Sequence, residues 1–205
     1  MCREANSPIH VLAVTNRALC PGDFLLKVEQ IASGEGLKRR IPYELDGILL
    51  REKDLSAAQY EVLARQVQAI CTRHTKRCIL HSFPDVAERL CSQAVHLPFA
   101  ALCRIAPLQS KFATIGCSIH SVEEAVEAQR LGATYLTAGH IFSTACKPGL
   151  PPRGLAFLQE VSRRVKIPVY AIGGIHPDNA AAAVAAGAYG VCMMSEFMKE
   201  ETGEV

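Results

Sequence analysis

Eight short apolar runs alternate with helix-like stretches along this chain, and that alternation restricts the fold more than any other feature. The runs cover residues 10–15, 46–51, 77–81, 94–97, 112–118, 135–138, 169–173 and 190–194. Helical patterns lie between them over 23–33, 56–74, 85–91, 102–109, 122–131, 154–165 and 177–186. Strands covered by helices on both faces read as near-continuous apolar runs, as Ile-Pro-Val-Tyr-Ala-Ile at 167–172 does. The alternation predicts an α/β fold with a parallel sheet. Eight units predict a single closed (β/α)8 TIM barrel spanning 1–205, rather than an open doubly wound sheet.

Helix-start and helix-stop chemistry supports these boundaries. Asp23 and Ser56 precede apolar-periodic runs, and Ser121 with Glu124 forms an S-x-x-E capping pattern. Pro177 suits a first helical position, with Asp178 near the positive end of the helix dipole. Gly132 and Gly187 each follow a helical run, as carboxyl-terminal caps do. Few residues follow the last strand, so the eighth helix is expected to be short or incomplete. A barrel left partly uncovered there points toward a homo-oligomer such as a dimer.

Composition excludes several classes. With 49% apolar and 20% charged residues in 205, the chain can bury a substantial core. A net charge of +2 does not suggest nucleic-acid binding, and Lys38-Arg39-Arg40 reads as a solvated loop. No apolar run reaches the ~18 residues of a membrane span, and no signal-peptide core follows Arg3 and Glu4. Nine cysteines, none in a C-x-x-C, suggest small apolar residues in a reducing compartment, hence a cytoplasmic protein.

In a barrel of this kind, active sites lie at the carboxyl ends of the strands. Collected there are Arg51-Glu52-Lys53, His81-Ser82, His96, Ser118-Ile119-His120, His140, Ser143-Thr144, Cys146-Lys147, Gly173-Gly174 and Met194-Ser195. Gly173 and Gly174 allow backbone N–H groups to approach an anion, in the loop position that commonly holds phosphate. Ser195 can add a hydroxyl donor. Arg51 can hold a carboxylate through two parallel hydrogen bonds, with Lys53 and Lys147 ringing the same mouth. His120 is the candidate proton carrier, since an imidazole both gives and takes a proton near neutrality. His81 and His96 are either pocket-lining or structural. His140 reads as packed with its nitrogens satisfied, and His10 and His74 as surface residues. No H-x-H or H-E-x-x-H occurs, so no metal and no cofactor is expected.

These segments resemble the thiamine-phosphate synthase/TenI superfamily, and within it the TenI branch of thiazole tautomerases. The resemblance runs from Val11 to Ser195. It is carried by Leu50-Arg51-Glu52-Lys53, by residues 118–125, by residues 138–150 with Arg153-Gly154, and by Ala171-Ile172-Gly173-Gly174-Ile175. Synthases of this superfamily join a pyrimidine diphosphate to a thiazole phosphate using magnesium. They carry a Gln where this chain has Leu49, an Asn-Asp pair where it has His81-Ser82, and an acidic residue where it has the apolar run from Leu97. Those departures lead to the expectation of an isomerase, a cofactor-independent thiazole tautomerase acting on a small phosphorylated thiazole carboxylate in thiamine biosynthesis. The resemblance implies that His120 is catalytic. Substrate would be bound by Arg51, Lys53, Ser118, Thr144, Lys147, Gly173, Gly174, Met194 and Ser195. The alternatives are a magnesium-dependent thiamine-phosphate synthase and a non-catalytic thiazole-phosphate-binding regulator.

Overall fold

Each apolar run becomes a strand and each helical pattern a helix in the computed structural model of the chain, which describes residues 8–34, 43–105, 108, 111–144 and 149–199. In chain order these are β1 (Ile9–Val14), α1 (Phe24–Ser33), β2 (Tyr43–Leu50), α2 (Ala57–Arg73), β3 (Cys78–His81), α3 (Pro84–Arg89), β4 (Ala94–Pro98), α4 (Phe99–Ile105), β5 (Thr114–Ile119), α5 (Val122–Arg130), β6 (Tyr135–Gly139), α6 (Gly154–Arg164), β7 (Val169–Ile172), α7 (Pro177–Ala185), β8 (Gly190–Met193) and α8 (Ser195–Met198). All eight strands pair in parallel, each with its sequence neighbour, and β1 pairs β8 to close the barrel. This is the (β/α)8 barrel that the alternation implies. No helix among the described residues is long and apolar enough to cross a membrane.

The helix starts follow local chemistry. Asp23 accepts from the Leu26 N–H, and Ser56 forms a full capping box with Gln59. Ser121 accepts from the Glu124 N–H, but the Glu124 carboxylate passes Ser121 and takes the N–H of His120 at 2.5 Å. The cap therefore also fixes the backbone at the end of β5. Two element starts lie three residues from the sequence expectation. Helix α4 begins at Phe99 rather than at residue 102, because Pro98 ends the strand and good helix formers follow at once. Strand β2 begins at Tyr43 rather than residue 46, because it already pairs with β1 from Ile9↔Tyr43 onward. Helix α8 has four residues in the described part of the chain.

Alternation along each strand divides the core in two. Val11, Ile48, Leu80, Val95, Ile115, Leu136, Ala171 and Val191 belong to a large cluster with helix residues such as Val28, Tyr60, Val67, Ala125 and Leu158. Leu12, Val14, Leu49, Ile79, Ala94, Tyr135, Tyr170 and Cys192 form a second cluster inside the barrel. Side chains repeat a face every second residue. Arg51, His81, His96, Ser118, His120, Thr137 and Met194 continue the inner face toward the carboxyl-terminal mouth.

Candidate active site

A polar column fills the barrel where an all-apolar layer would be ordinary. His96 is 1% exposed; its Nδ1 lies 2.8 Å from the Tyr135 hydroxyl and its Nε2 2.8 Å from the Ser118 hydroxyl. Thr137 donates to Ser118 at 3.1 Å. The His81 ring stacks on His96 with centroids 5.6 Å apart, and Ser82 Oγ lies 2.7 Å from His81 Nδ1. Toward the floor, Tyr135 meets Tyr170 edge-on, and Tyr170 donates to Asp46 at 2.5 Å. Asp46 also holds His10 Nδ1 at 2.8 Å, and His10 stacks on Tyr189. His10 and His74 are both half-buried rather than surface residues, each held by an acidic partner, Asp46 and Glu29.

Both central imidazoles are neutral. Burial pushes His96 down to about 3. Burial first, then repulsion between the two imidazoles were both protonated and the positive charges of Arg51 and Lys53, push His81 down to about 2. Arg51 and Lys53 thus bring positive potential to the mouth beside β3. Arg51 is half-buried, and its backbone N–H donates to the Thr15 hydroxyl at 3.0 Å. Thr15 in turn donates to Glu52 at 2.6 Å, and Glu52 accepts from the Arg17 N–H at 3.0 Å. Tyr60, reaching in from α2, donates to the Leu50 carbonyl at 2.6 Å and accepts from the His81 N–H at 2.8 Å. These braces hold the ends of β1, β2 and β3 in register.

His120 stands exposed at the mouth, and its Nδ1 lies 3.1 Å from the Gly139 carbonyl. A carbonyl only accepts, so Nδ1 carries a proton, and in the neutral imidazole Nε2 is the acceptor. Gly173 and Gly174 adopt φ of +97° and +64°. A Cβ on Gly173 would lie 2.4 Å from His140 Cβ, and one on Gly174 2.3 Å from the Ser143 carbonyl oxygen. Only glycine fits this turn, which packs on the loop after β6. Its carbonyls are occupied: Gly173 O accepts from Phe142 N–H at 2.9 Å and Gly174 O from Asn179 Nδ2 at 2.8 Å. Met194 and Ser195 lie at the start of α8, both half-buried. Thr144 is half-buried in the β6–α6 loop, while Cys146 and Lys147 lie outside the described residues. His140 is buried, yet its Nδ1 has no hydrogen-bond partner, contrary to the expectation of two satisfied nitrogens.

Arg51, His81, Ser118, His120 and Met194 therefore share the inner face, with the glycine turn and Ser195 beside them. Sequence reasoning missed Thr15, Tyr60, Tyr135 and Thr137 as members of this region. The signal for Tyr135 and Thr137 was their period-two spacing on a strand in register with Gly116 and Ser118.

Magnesium, implied for the synthase branch, takes several oxygen ligands, chiefly carboxylates and waters. The residues at the mouth do not fit it. The end of β3 offers the neutral His81 and Ser82, whose hydroxyl is engaged with it. The end of β4 offers Leu97 and Pro98. Both Glu52 oxygens are already bonded, and Asp85 is exposed in the first turn of α3. No group of three or more His, Cys, Asp or Glu among the described residues can hold a metal ion.

Known proteins give the family. The family model described as thiamine monophosphate synthase, TMP-TENI, matches residues 11–197. The thiamine-phosphate synthase of Methanospirillum hungatei is 33% identical over 188 residues, 89% of this chain and 86% of that protein. The putative thiamine-phosphate synthase 2 of Aquifex aeolicus is 33% identical over 189 residues, 91% of this chain and 96% of that protein. The solved thiamine phosphate pyrophosphorylase from Pyrococcus furiosus superposes with a TM-score of 0.76 at 26% identity, covering 94% of this chain and 89% of that one. These relatives overturn the expectation of a thiazole tautomerase: they bear the name of a synthase, the reading that the departures at Leu49 and His81-Ser82 had set aside. Barrel closure, the glycine turn and the matched span of the sequence agree: this chain belongs to the thiamine monophosphate synthase family.

Proposed function

We propose that the chain is a thiamine-phosphate synthase, joining a pyrimidine diphosphate to a thiazole phosphate as diphosphate departs. The observation that carries this reading is the likeness to named thiamine-phosphate synthases over nearly their whole length. The mouth supplies compatible chemistry. The thiazole phosphate sits against the Gly173–Gly174 turn, where successive N–H groups favour an anion, with Met194 and the Ser195 hydroxyl alongside. Arg51 and Lys53 face the departing diphosphate. A guanidinium binds such oxyanions through paired hydrogen bonds. His120 Nε2 accepts a hydrogen bond from a ligand N–H, while Ser118 and Thr144 bound the pocket wall.

The test is product formation by the purified protein from the two substrates, followed by chromatography of thiamine phosphate. Product above a boiled-protein control is expected; its absence overturns the synthase reading. Cationic residues carry the leaving-group charge here, so EDTA is expected to reduce the rate by less than about threefold. Complete loss with EDTA would overturn that assignment of charge and leave the synthase reading standing. The misfit to magnesium favours a second reading, a non-catalytic thiazole-phosphate binder. Tight thiazole-phosphate binding with no product would select it.

A further inference from the structure

Three adjacent strands place hydroxyls on both sides of one buried imidazole. His96 on β4 and Tyr135 on β6 are both in register with Gly116 on β5, and they meet across it because glycine leaves the space. His96 Nδ1 lies 2.8 Å from the Tyr135 hydroxyl, and Nε2 lies 2.8 Å from the Ser118 hydroxyl, two residues nearer the mouth on β5 than Gly116. Thr137, the β6 partner of Ser118, has its hydroxyl 3.1 Å from the same Ser118 oxygen. His96, Tyr135 and Thr137 are buried, whereas Ser118 is half-buried.

Counting donors and acceptors places every proton in this cluster. Burial holds the His96 imidazole neutral and keeps the Tyr135 phenol protonated. His96 therefore carries one proton on two nitrogens. Among the described residues the Tyr135 hydroxyl has one hydrogen-bond partner, His96 Nδ1. A buried O–H without an acceptor is unfavourable, so Tyr135 donates to Nδ1. The imidazole proton then sits on Nε2 and is donated to Ser118 Oγ. Thr137 lies 3.4 Å from Nε2, which now has no lone pair to offer, so the Thr137 O–H also goes to Ser118 Oγ. Two incoming donors fill the two lone pairs of Ser118. Its own O–H has no acceptor within the cluster, and the mouth is the side left open to it.

We propose that Tyr135, His96 and Thr137 are positioning residues that hold Ser118 as a one-way donor, so that the substrate atom it meets is an acceptor, an oxyanion oxygen or an unprotonated ring nitrogen. A ligand N–H or O–H at that point would meet a hydrogen instead of a lone pair. Ser118 thus offers a donor, while His120 Nε2, two residues further along the chain, offers an acceptor.

The tautomer is the first test, and it needs no ligand. The isotopically labelled wild-type chain is assigned through its backbone, and long-range proton–nitrogen correlations of its imidazoles are recorded near neutral pH. The pyrrole-type nitrogen of His96 is expected to correlate strongly with both Hδ2 and Hε1, which marks Nε2–H. A pyrrole-type Nδ1 overturns the relay. The second test rests on the synthase reading. Ser118→Ala is expected to lower kcat/KM about tenfold, the scale of one hydrogen bond, and the substrate showing the larger fall carries the acceptor. Tyr135→Phe is expected to lower kcat/KM about threefold in the wild-type background but less than about 1.5-fold in Ser118→Ala, because it acts through that hydroxyl. An equal fall in both backgrounds assigns Tyr135 to packing and overturns the relay, as does an unchanged kcat/KM in Ser118→Ala. If no product forms, the synthase reading fails and the wild-type tautomer decides the relay by itself.

Discussion

At the residue scale, Gly116 decides whether the polar column can exist. A Cβ there would lie 2.2 Å from His96 Nδ1 and 2.3 Å from the Tyr135 ring. Neither neighbour can retreat, because each is buried and held by the other. Gly116→Ala is therefore expected to cost more than about 2 kcal/mol, the scale of overpacking a closed core. Urea unfolding measures it, and a loss below about 0.5 kcal/mol would show that the column yields. His120 makes a different prediction, because it is exposed and contributes little to the core. His120→Phe keeps the ring and removes the Nε2 acceptor. KM is expected to rise about fivefold, the scale of one lost hydrogen bond of ~1 kcal/mol, while loss of the Nδ1–Gly139 bond lowers stability by no more than about 1 kcal/mol. Steady-state kinetics in the synthase assay check it. The sequence placed Arg51, Ser118 and His120 at strand ends because period two and strand termini are local properties. It left His96 undecided and missed Tyr135, because their roles lie in a contact 39 positions apart in the chain. Alternation tells which face a side chain takes, not which strand's residue it meets there.

At the element scale, α2 does more than cover the barrel. Its Tyr60 is fully buried and bonds one residue of β2 and one of β3, directly beside Arg51 and at His81. Tyr60→Phe keeps the packing and leaves the Leu50 carbonyl and the His81 N–H without partners. Unpartnered buried groups cost ~1–3 kcal/mol each, so a loss of about 2–4 kcal/mol in unfolding free energy is expected. The strand ends carrying Arg51 and His81 should loosen with it, raising KM for the diphosphate substrate. Stability equal to wild type would mean that water replaces the hydroxyl. Helix α2 itself was legible from its Ser56 cap and its long apolar period. The brace was not, since a tyrosine in an apolar helix face reads as core whether or not its hydroxyl is used. The same holds for Asp46, read only as the first residue of a strand, whose bonds to Tyr170 and His10 join elements far apart in the chain.

At the scale of the whole molecule, closure puts two imidazoles on the barrel axis, where neither can be hydrated well. Strand counting could anticipate the closure; it could not anticipate that the axis is polar. The consequence is a pH dependence with a definite sign. In the unfolded chain a histidine titrates near ~6.5, whereas in the fold burial holds His96 at about 3 and His81 at about 2. Between those values the unfolded chain binds more protons than the folded one. Stability is then complete above the unfolded pKa and falls as pH drops through the interval, until the folded imidazoles themselves protonate. Each imidazole contributes a slope of up to ~1.4 kcal/mol per pH unit. Urea unfolding free energies between about pH 7 and pH 4.5 should therefore decline steeply for the wild type. His96→Gln can still bond Ser118 or Tyr135 but cannot titrate, so its decline should be shallower by about one imidazole's slope. Parallel declines in the two proteins would mean that His96 is not the group responsible and that water reaches the axis when the pH falls.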